Sequence, residues 1–201
     1  MYNSLDMYRK YIEQFITLNK VEWSILKSQL TIETFKKGET IHHMGDICKD
    51  CYFITKGIVR SYTLDGRGKD YTTGIHFNDQ KAKIYNVYII DFFSFINQSE
   101  SDLAYDVIED CTLVKITYTN TQLFYKYSKK GEYFGRVTAE LAYLEAHNQI
   151  ISSKIDNAEA RIKEFLSNRL ELMEKVPQYH IASYLNVSPQ LFSTIKNKLT
   201  S

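Results

Sequence analysis

The chain has 201 residues, 44% of them hydrophobic, enough to bury a sizeable core in one large or two small domains. Its net charge of +1 excludes the bulk field of a highly charged nucleic-acid or membrane binder, so any basic surface must be local. No apolar run approaches the roughly 18 residues of a membrane span, Met1 to Lys10 lacks a signal peptide's apolar core, and three cysteines fit a reduced, cytoplasmic setting. Leu5 to Leu30 reads as helical: Tyr8, Tyr11, Ile12, Phe15 and Ile16 sit at helical spacing, and Val21 to Leu30 repeats the pattern as a second short helix. From Phe35 the texture changes. Tyr52 to Ile54, Ile58 to Leu64 and Tyr71 to Phe77 are short runs of β-branched and aromatic residues punctuated by glycines, as in strand–turn alternation. Asp65-Gly66 is a hairpin signal, since both residues tolerate positive φ. Val107 to Tyr118 predicts two more strands around a turn near Glu109-Asp110. Many short strands with glycine turns indicate a barrel or jelly roll.

After Thr119 the pattern turns helical and stays so to Met173. Between Tyr133 and Ile155, Phe134, Val137, Leu141, Leu144, Asn148, Ile151 and Ile155 recur in alternating steps of three and four, a heptad seam uninterrupted after Gly135. At 1.5 Å per residue this helix would be about 34 Å long. A stripe this narrow faces a partner helix, and the polar Asn148 resembles a buried asparagine that sets pairing register. The competing interpretation is a core helix packed within its own chain. Beyond it, Ile162, Phe165, Leu166, Leu170 and Met173 make a broad apolar face.

Pro177 opens the last unit. Pro177 to Leu185 predicts a short helix with Pro in its first turn and Ile181, Ala182 and Leu185 facing inward. Asn186 can end it in the left-handed conformation, Val187 anchors the turn, and Ser188 caps a second helix from Pro189 to Leu199. Leu191, Phe192, Ile195 and Leu199 are its expected inner face. Helix, tight turn, helix, with a small residue at the crossing, is the pattern of a helix-turn-helix, or of an ordinary helical hairpin. The outer face favours the first. Gln190, Ser193, Thr194, Lys196, Asn197 and Lys198 are donors suited to base edges and phosphates, and no acid follows Lys175.

These motifs carry a resemblance. Phe35-x-x-Gly38-Glu39-x-Ile41, Gly45-Asp46, Tyr52-Phe53-Ile54-x-x-Gly57-x-Val59-Arg60 and Asp65-x-x-Gly68 are similar in spacing to the cyclic-nucleotide-binding-like β-roll of the Crp–Fnr regulators. The run from Val176 to Ile195 resembles that family's helix-turn-helix, and the heptad helix lies where the family dimerises. The resemblance implies an α+β chain with a jelly-roll-like sensor domain at 1–130, a dimerisation helix at 131–156 and a DNA-binding domain at 157–201. It further implies a homodimer that binds an inverted repeat in double-stranded DNA, responds to a small-molecule effector and contacts RNA polymerase. Ser188 and Pro189 join the six donors above as expected DNA contacts. The alternative is a ligand- or protein-binding module of the same fold that has lost DNA reading.

The sequence departs from the family at specific places. Family members hold a cyclic nucleotide with a Gly-Glu pair and an Arg, but the matching segment here, Asn86 to Tyr105, contains neither Gly nor Arg. A cyclic phosphodiester needs a cation or a ring of backbone N–H groups, so cyclic AMP is not the expected effector. Pro189 and Thr194 stand where the family's recognition helix usually has arginines, and wing strands beyond Ser201 are not expected. Tyr62, Tyr71, His76, Lys83 and Tyr85 are the candidate effector-pocket residues, and Arg60 reads as a paired surface cation. Cys48-Lys49-Asp50-Cys51 is a lone CxxC near His42 and His43; without a second pair it reads as ordinary thiols, and no metal or other cofactor is expected. No nucleophile–base motif, carboxylate pair or phosphate loop is evident, so no catalytic residue is assigned.

Overall fold

The computed structural model describes residues 3–79 and 82–200, Thr200 by its backbone alone. Met1 and Tyr2 of the N-terminal reading lie outside the described residues. The chain begins with α1 (Ser4–Ile12) and α2 (Lys20–Lys27), shorter than the periodicity predicts. Phe15 and Ile16 fall in the link between them, and α2 ends at Lys27 with Ser28 as its cap. Both helices start at an asparagine whose side chain accepts backbone N–H groups, and Asn19 with Glu22 forms a full capping box.

Among the described residues six strands follow in one antiparallel sheet: β1 (Thr31–Phe35), β2 (Thr40–His42), β3 (Asp50–Leu64), β4 (Asp70–His76), β5 (Tyr88–Ile89) and β6 (Ala104–Thr117). Their order is β1-β6-β3-β4, with β2 also on β6 and β5 on β3. The two long strands correct the segmentation expected from sequence. Tyr52–Ile54 and Ile58–Leu64 are one strand, and Glu109-Asp110 is no turn but part of the unbroken β6. Register shifts between Ile54 and Val59 bend β3 without ending it. Gly57 makes this possible: its φ is +95°, and a Cβ there would lie 2.5 Å from the Asp110 carbonyl oxygen. Asp110 stays exposed and binds the Lys36 amine at 2.9 Å and the Lys37 N–H at 2.8 Å. The β3–β4 hairpin forms where Asp65-Gly66 places it, but the turn is longer: Asp65 accepts from the N–H groups of Arg67 and Lys69, and the positive φ belongs to Gly68.

Between β4 and β6 lie α3 (Ile84–Val87) and α4 (Phe92–Asn97). Then come α5 (Tyr118–Tyr127) and α6 (Lys129–Ile155), separated by Ser128, which caps α6 through Gly131 N–H. The helical run predicted onward to Met173 is broken again at Asp156, where Asn157 caps α7 (Ala158–Arg169), and before α8 (Leu172–Lys175). Last are α9 (Gln178–Tyr184) and α10 (Pro189–Thr200). The result is a mixed α/β chain with an antiparallel, jelly-roll-like β domain and a long helix.

Two cores hold it. One packs α1 and α2 on the roll through Tyr8, Ile12, Trp23, Phe53 and Leu113 and takes in Phe134 of α6. The other joins Ile162, Phe165, Ile181, Leu185, Phe192 and Ile195 of the C-terminal helices to Ile58, Ile75 and Phe77 of the roll. Edge strand β4 is therefore covered by α9, and the Thr72 N–H donates to Ser183 Oγ at 2.9 Å.

Candidate functional site

A cavity of about 210 Å³ lies where the roll, α5 and the first half of α6 meet. Its polar wall is built on β3, β4 and α3. The Tyr85 carbonyl can only accept, so His76 Nδ1, 3.1 Å away, carries the ring proton and Nε2 accepts from Ser61 Oγ at 3.0 Å. Thr73 Oγ1 donates to Ser61 Oγ at 3.0 Å, and the Tyr85 hydroxyl donates to the Thr73 carbonyl at 2.7 Å. Gly74 lets these groups converge, since a Cβ there would lie 2.5 Å from the Tyr85 hydroxyl and 2.6 Å from Ser61 Oγ. Burial pushes the His76 imidazole down to about 4, so it is neutral at pH 7. The fold thus assembles a serine–histidine pair that no sequence motif announced; the depressed imidazole is a weak base, and its contacts are those of a satisfied buried wall.

The other walls are aromatic and aliphatic. Five of the chain's sixteen tyrosines (Tyr8, Tyr85, Tyr88, Tyr105 and Tyr125) line the cavity with Phe92, Leu103, Ile116, Phe124 and Phe134. Burial raises the phenols of Tyr85, Tyr88 and Tyr105 well above their ordinary range, so all stay protonated. The Tyr88 hydroxyl is buried near that of Tyr8 yet has no partner at hydrogen-bonding geometry.

Of the five predicted pocket residues, His76 and Tyr85 reach the cavity. Tyr62, Tyr71 and Lys83 do not. Neighbours on a strand point to opposite faces, so the inward position beside Tyr62 belongs to Ser61. Tyr62 lies instead under the Arg60 guanidinium, 4.5 Å from its ring centre, Tyr71 is 38% exposed beneath Lys69, and Lys83 pairs with Glu145 of α6 at 2.8 Å. Arg60 is itself a correction. It is paired, to Asp70 and to Thr72 Oγ1 at 2.8 Å, but it is buried, not a surface cation.

Asn86 to Tyr105, the segment compared with the family's nucleotide cassette, folds as the end of α3, β5, α4 and a left-handed Gln98. The start of α4 is filled by the chain's own acid. Buried Asp91 accepts from the N–H groups of Phe93 and Ser94 at 3.0 and 3.2 Å and from Ser101 Oγ at 2.6 Å. A second cavity, about 260 Å³, opens beside His42, Asp46, Cys48, Asp50 and Tyr105. Burial raises the Cys48 thiol to about 11, Cys111 likewise to about 11, and Cys51 higher still. Protonated thiols are poor ligands and poor nucleophiles. Among the described residues no group of three or more His, Cys, Asp and Glu is arranged to hold a metal.

On α6, the seam divides. Phe134 is 6% exposed, packed edge-on against Phe15 at 5.8 Å within its own chain, and Val137 is half-buried. Leu141, Leu144, Ile151 and Ile155 are 37, 54, 42 and 74% exposed, and Asn148 is exposed among them. At the C-terminus, α9 and α10 meet at Asn186, whose φ is +53° as expected, and Val187 N–H closes on the Ala182 carbonyl at 2.9 Å. Ser188 Oγ accepts from Leu191 N–H at 3.1 Å, which makes it the cap. Phe192 and Ile195 are buried, but Leu191 and Leu199 are not the inner residues expected: they are 42 and 37% exposed. Leu191 lies about 100° around the helix from Phe192, off the side that touches α7 and α9. Ser188, Pro189, Gln190, Ser193, Thr194, Asn197 and Lys198 are all exposed, and Lys196 is half-buried. Thr194 Oγ1 donates to the Gln190 carbonyl at 3.0 Å, and Lys198 lies 3.8 Å from Glu159.

Residues 32–80 match the family model of the cyclic nucleotide-binding domain. Among solved structures, FixK2 from Bradyrhizobium japonicum is 17% identical with a TM-score of 0.68, covering 85% of this chain and 84% of its own. A proposed transcriptional regulator of the crp/fnr family from Eubacterium rectale is 16% identical with a TM-score of 0.68, covering 91% of this chain and 84% of its own. The fold is that of the Crp–Fnr regulators. The c-di-GMP-responsive global regulator CLP from Xanthomonas campestris shares it at 14% identity and a TM-score of 0.62, with 88% of each chain covered. Comparison with curated protein sequences finds no match. Among the described residues no helix is long and apolar enough to cross a membrane.

Proposed function

We propose that this Crp–Fnr-fold chain is a homodimeric transcription regulator that reads an inverted DNA repeat and does not answer to cyclic AMP. One observation carries the reading: α10 turns an acid-free face of Gln190, Ser193, Thr194, Asn197 and Lys198 to solvent while Phe192 and Ile195 hold it to the body. The α9–turn–α10 unit then serves as the helix-turn-helix of a C-terminal reader spanning 157–201, with the sensor at 1–130 and the dimerisation helix at 131–156. The exposed Leu141, Leu144, Ile151 and Ile155 supply the apolar seam, with Asn148 for register. A twofold axis along it would set two copies of α10 into successive major grooves about 34 Å apart. Ser188, Pro189 and the lysines would meet phosphates, with RNA polymerase a further partner of the bound dimer.

The exclusion of cyclic AMP is supported by Asp91, whose buried carboxylate already takes the N–H groups at the start of α4, and by the lack of Gly and Arg across Asn86 to Tyr105. The thin cationic lining of α10 makes binding less steep in salt than in arginine-rich readers, because the slope follows the phosphates neutralised. Selection from random DNA tests the reading: an enriched inverted repeat is expected, and Gln190→Ala should relax preference at one base by about 1–3 kcal/mol. Lys196→Ala should weaken all sequences alike. If no repeat is enriched, the interaction-module alternative replaces the regulator.

A further inference from the structure

We infer that the cavity between the roll and the first half of α6 binds a small uncharged molecule, about the size of one substituted ring, with a single hydrogen-bonding group. Calling that molecule an effector rests on the regulator reading; its binding does not. Size comes first. An apolar cavity of about 150 Å³ is enough for benzene, and this one has about 210 Å³. Charge comes next. Among the described residues lining it there is no Lys or Arg, and the His76 imidazole already donates through Nδ1 to a carbonyl and accepts through Nε2 from Ser61. An anion entering it would lose its hydration and meet no cation in return.

The polar group has a defined place. Ser61, Thr73, His76 and Tyr85 satisfy one another, whereas the buried Tyr88 hydroxyl has no partner at hydrogen-bonding geometry. A ligand hydroxyl or carbonyl reaching it would give that hydroxyl a partner. The occupant would also touch the long helix. Thr138 and Ala142 line the cavity from α6, and Tyr85 stands between the cavity and α9, where its hydroxyl lies beside that of Tyr184. Filling the cavity therefore bears on both the long helix and the seat of the C-terminal unit.

The test uses the full chain, without DNA, titrated by calorimetry and amide NMR with four probes: toluene, benzyl alcohol, benzoate and cyclic AMP. Toluene and benzyl alcohol should bind saturably at one site per chain, with shifts at Thr138 and Ala142; benzoate and cyclic AMP should not. Ala142→Phe, which fills the cavity from the helix, should abolish both neutral complexes. Tyr88→Phe should weaken benzyl alcohol roughly fivefold, the worth of one hydrogen bond, and leave toluene unchanged. That second variant keeps the test decisive should Ala142→Phe fail to fold. No saturable binding of either neutral probe, benzoate binding as tightly as benzyl alcohol, or equal losses of both neutral probes in Tyr88→Phe would each overturn the inference. A failed DNA selection would leave these results standing, and failure here leaves the DNA reading standing.

Discussion

The two halves of α6 share one heptad periodicity and have opposite surroundings. In the first half, Gly131, Phe134 and Thr138 are buried, and Phe134 sits in the roll core against Phe15. In the second, Leu144, Ile150, Ile151 and Ile155 are all more than two-fifths exposed, and Glu145 reaches back only to pair with Lys83. A heptad stripe records that a helix must cover one side; it does not record whether the cover comes from the same chain or another. The first half is a wall of the roll and of its cavity. The second is an apolar face that the fold leaves open.

The comparison can be broken most sharply in the open half. Replacing Leu141 and Leu144 together with Asp should abolish the dimer in light scattering, because like charges would face their symmetry mates. The folded protomer should lose less than about 1 kcal/mol, as these are exposed sites. An intact dimer in that variant would refute the seam. The reverse holds at the root: Phe134→Ala should cost about 3–5 kcal/mol in urea unfolding, the range for a buried aromatic, whether or not the chain is dimeric. Equal losses from the two variants would erase the distinction between the halves.

Acid probes the wall that faces the root. The folded His76 pKa, near 4, lies below its unfolded value of about 6.5. The unfolded chain therefore binds more protons, and the contribution present above pH 6.5 is lost as pH falls toward 4. This should remove up to about 3 kcal/mol between those limits, and His76→Gln should flatten that part of the profile. His180, also held near 4 by burial where α9 covers β4, adds loss in the same direction. A small effect again belongs to the open half: Ala146→Gly, at an exposed helical position, should cost only about 1 kcal/mol through propensity.

Much of this fold is legible in the sequence. The glycine rhythm marked a roll, Asp65-Gly66 located the hairpin, and Asn186 and Ser188 marked the turn and cap between the last helices. The site was legible in part. Tyr85 and His76 were found by chemistry, but Tyr62, Tyr71 and Lys83 have the same chemistry and point elsewhere. Ser61 and Gly74, which complete the wall, carry no signal in a single sequence, because a small residue on a strand is common and its neighbours across the sheet are distant in the chain.

What the sequence alone determined about this protein is local: which segments prefer strand or helix, where caps and left-handed turns fall, and that the last helix has no acids. These follow from each residue's own geometry and from its neighbours within one helical turn. Only the tertiary structure decided the rest. Glu109-Asp110 became the middle of β6 because the bulge around Gly57 carries the ladder past them. Phe134 is buried in the roll core of its own chain, although it shares the heptad stripe with the open Leu144 and Ile151. The cavity exists because β3, β4, α3 and α6, joined by no short-range pattern, bring small and aromatic side chains together without quite filling the space between them.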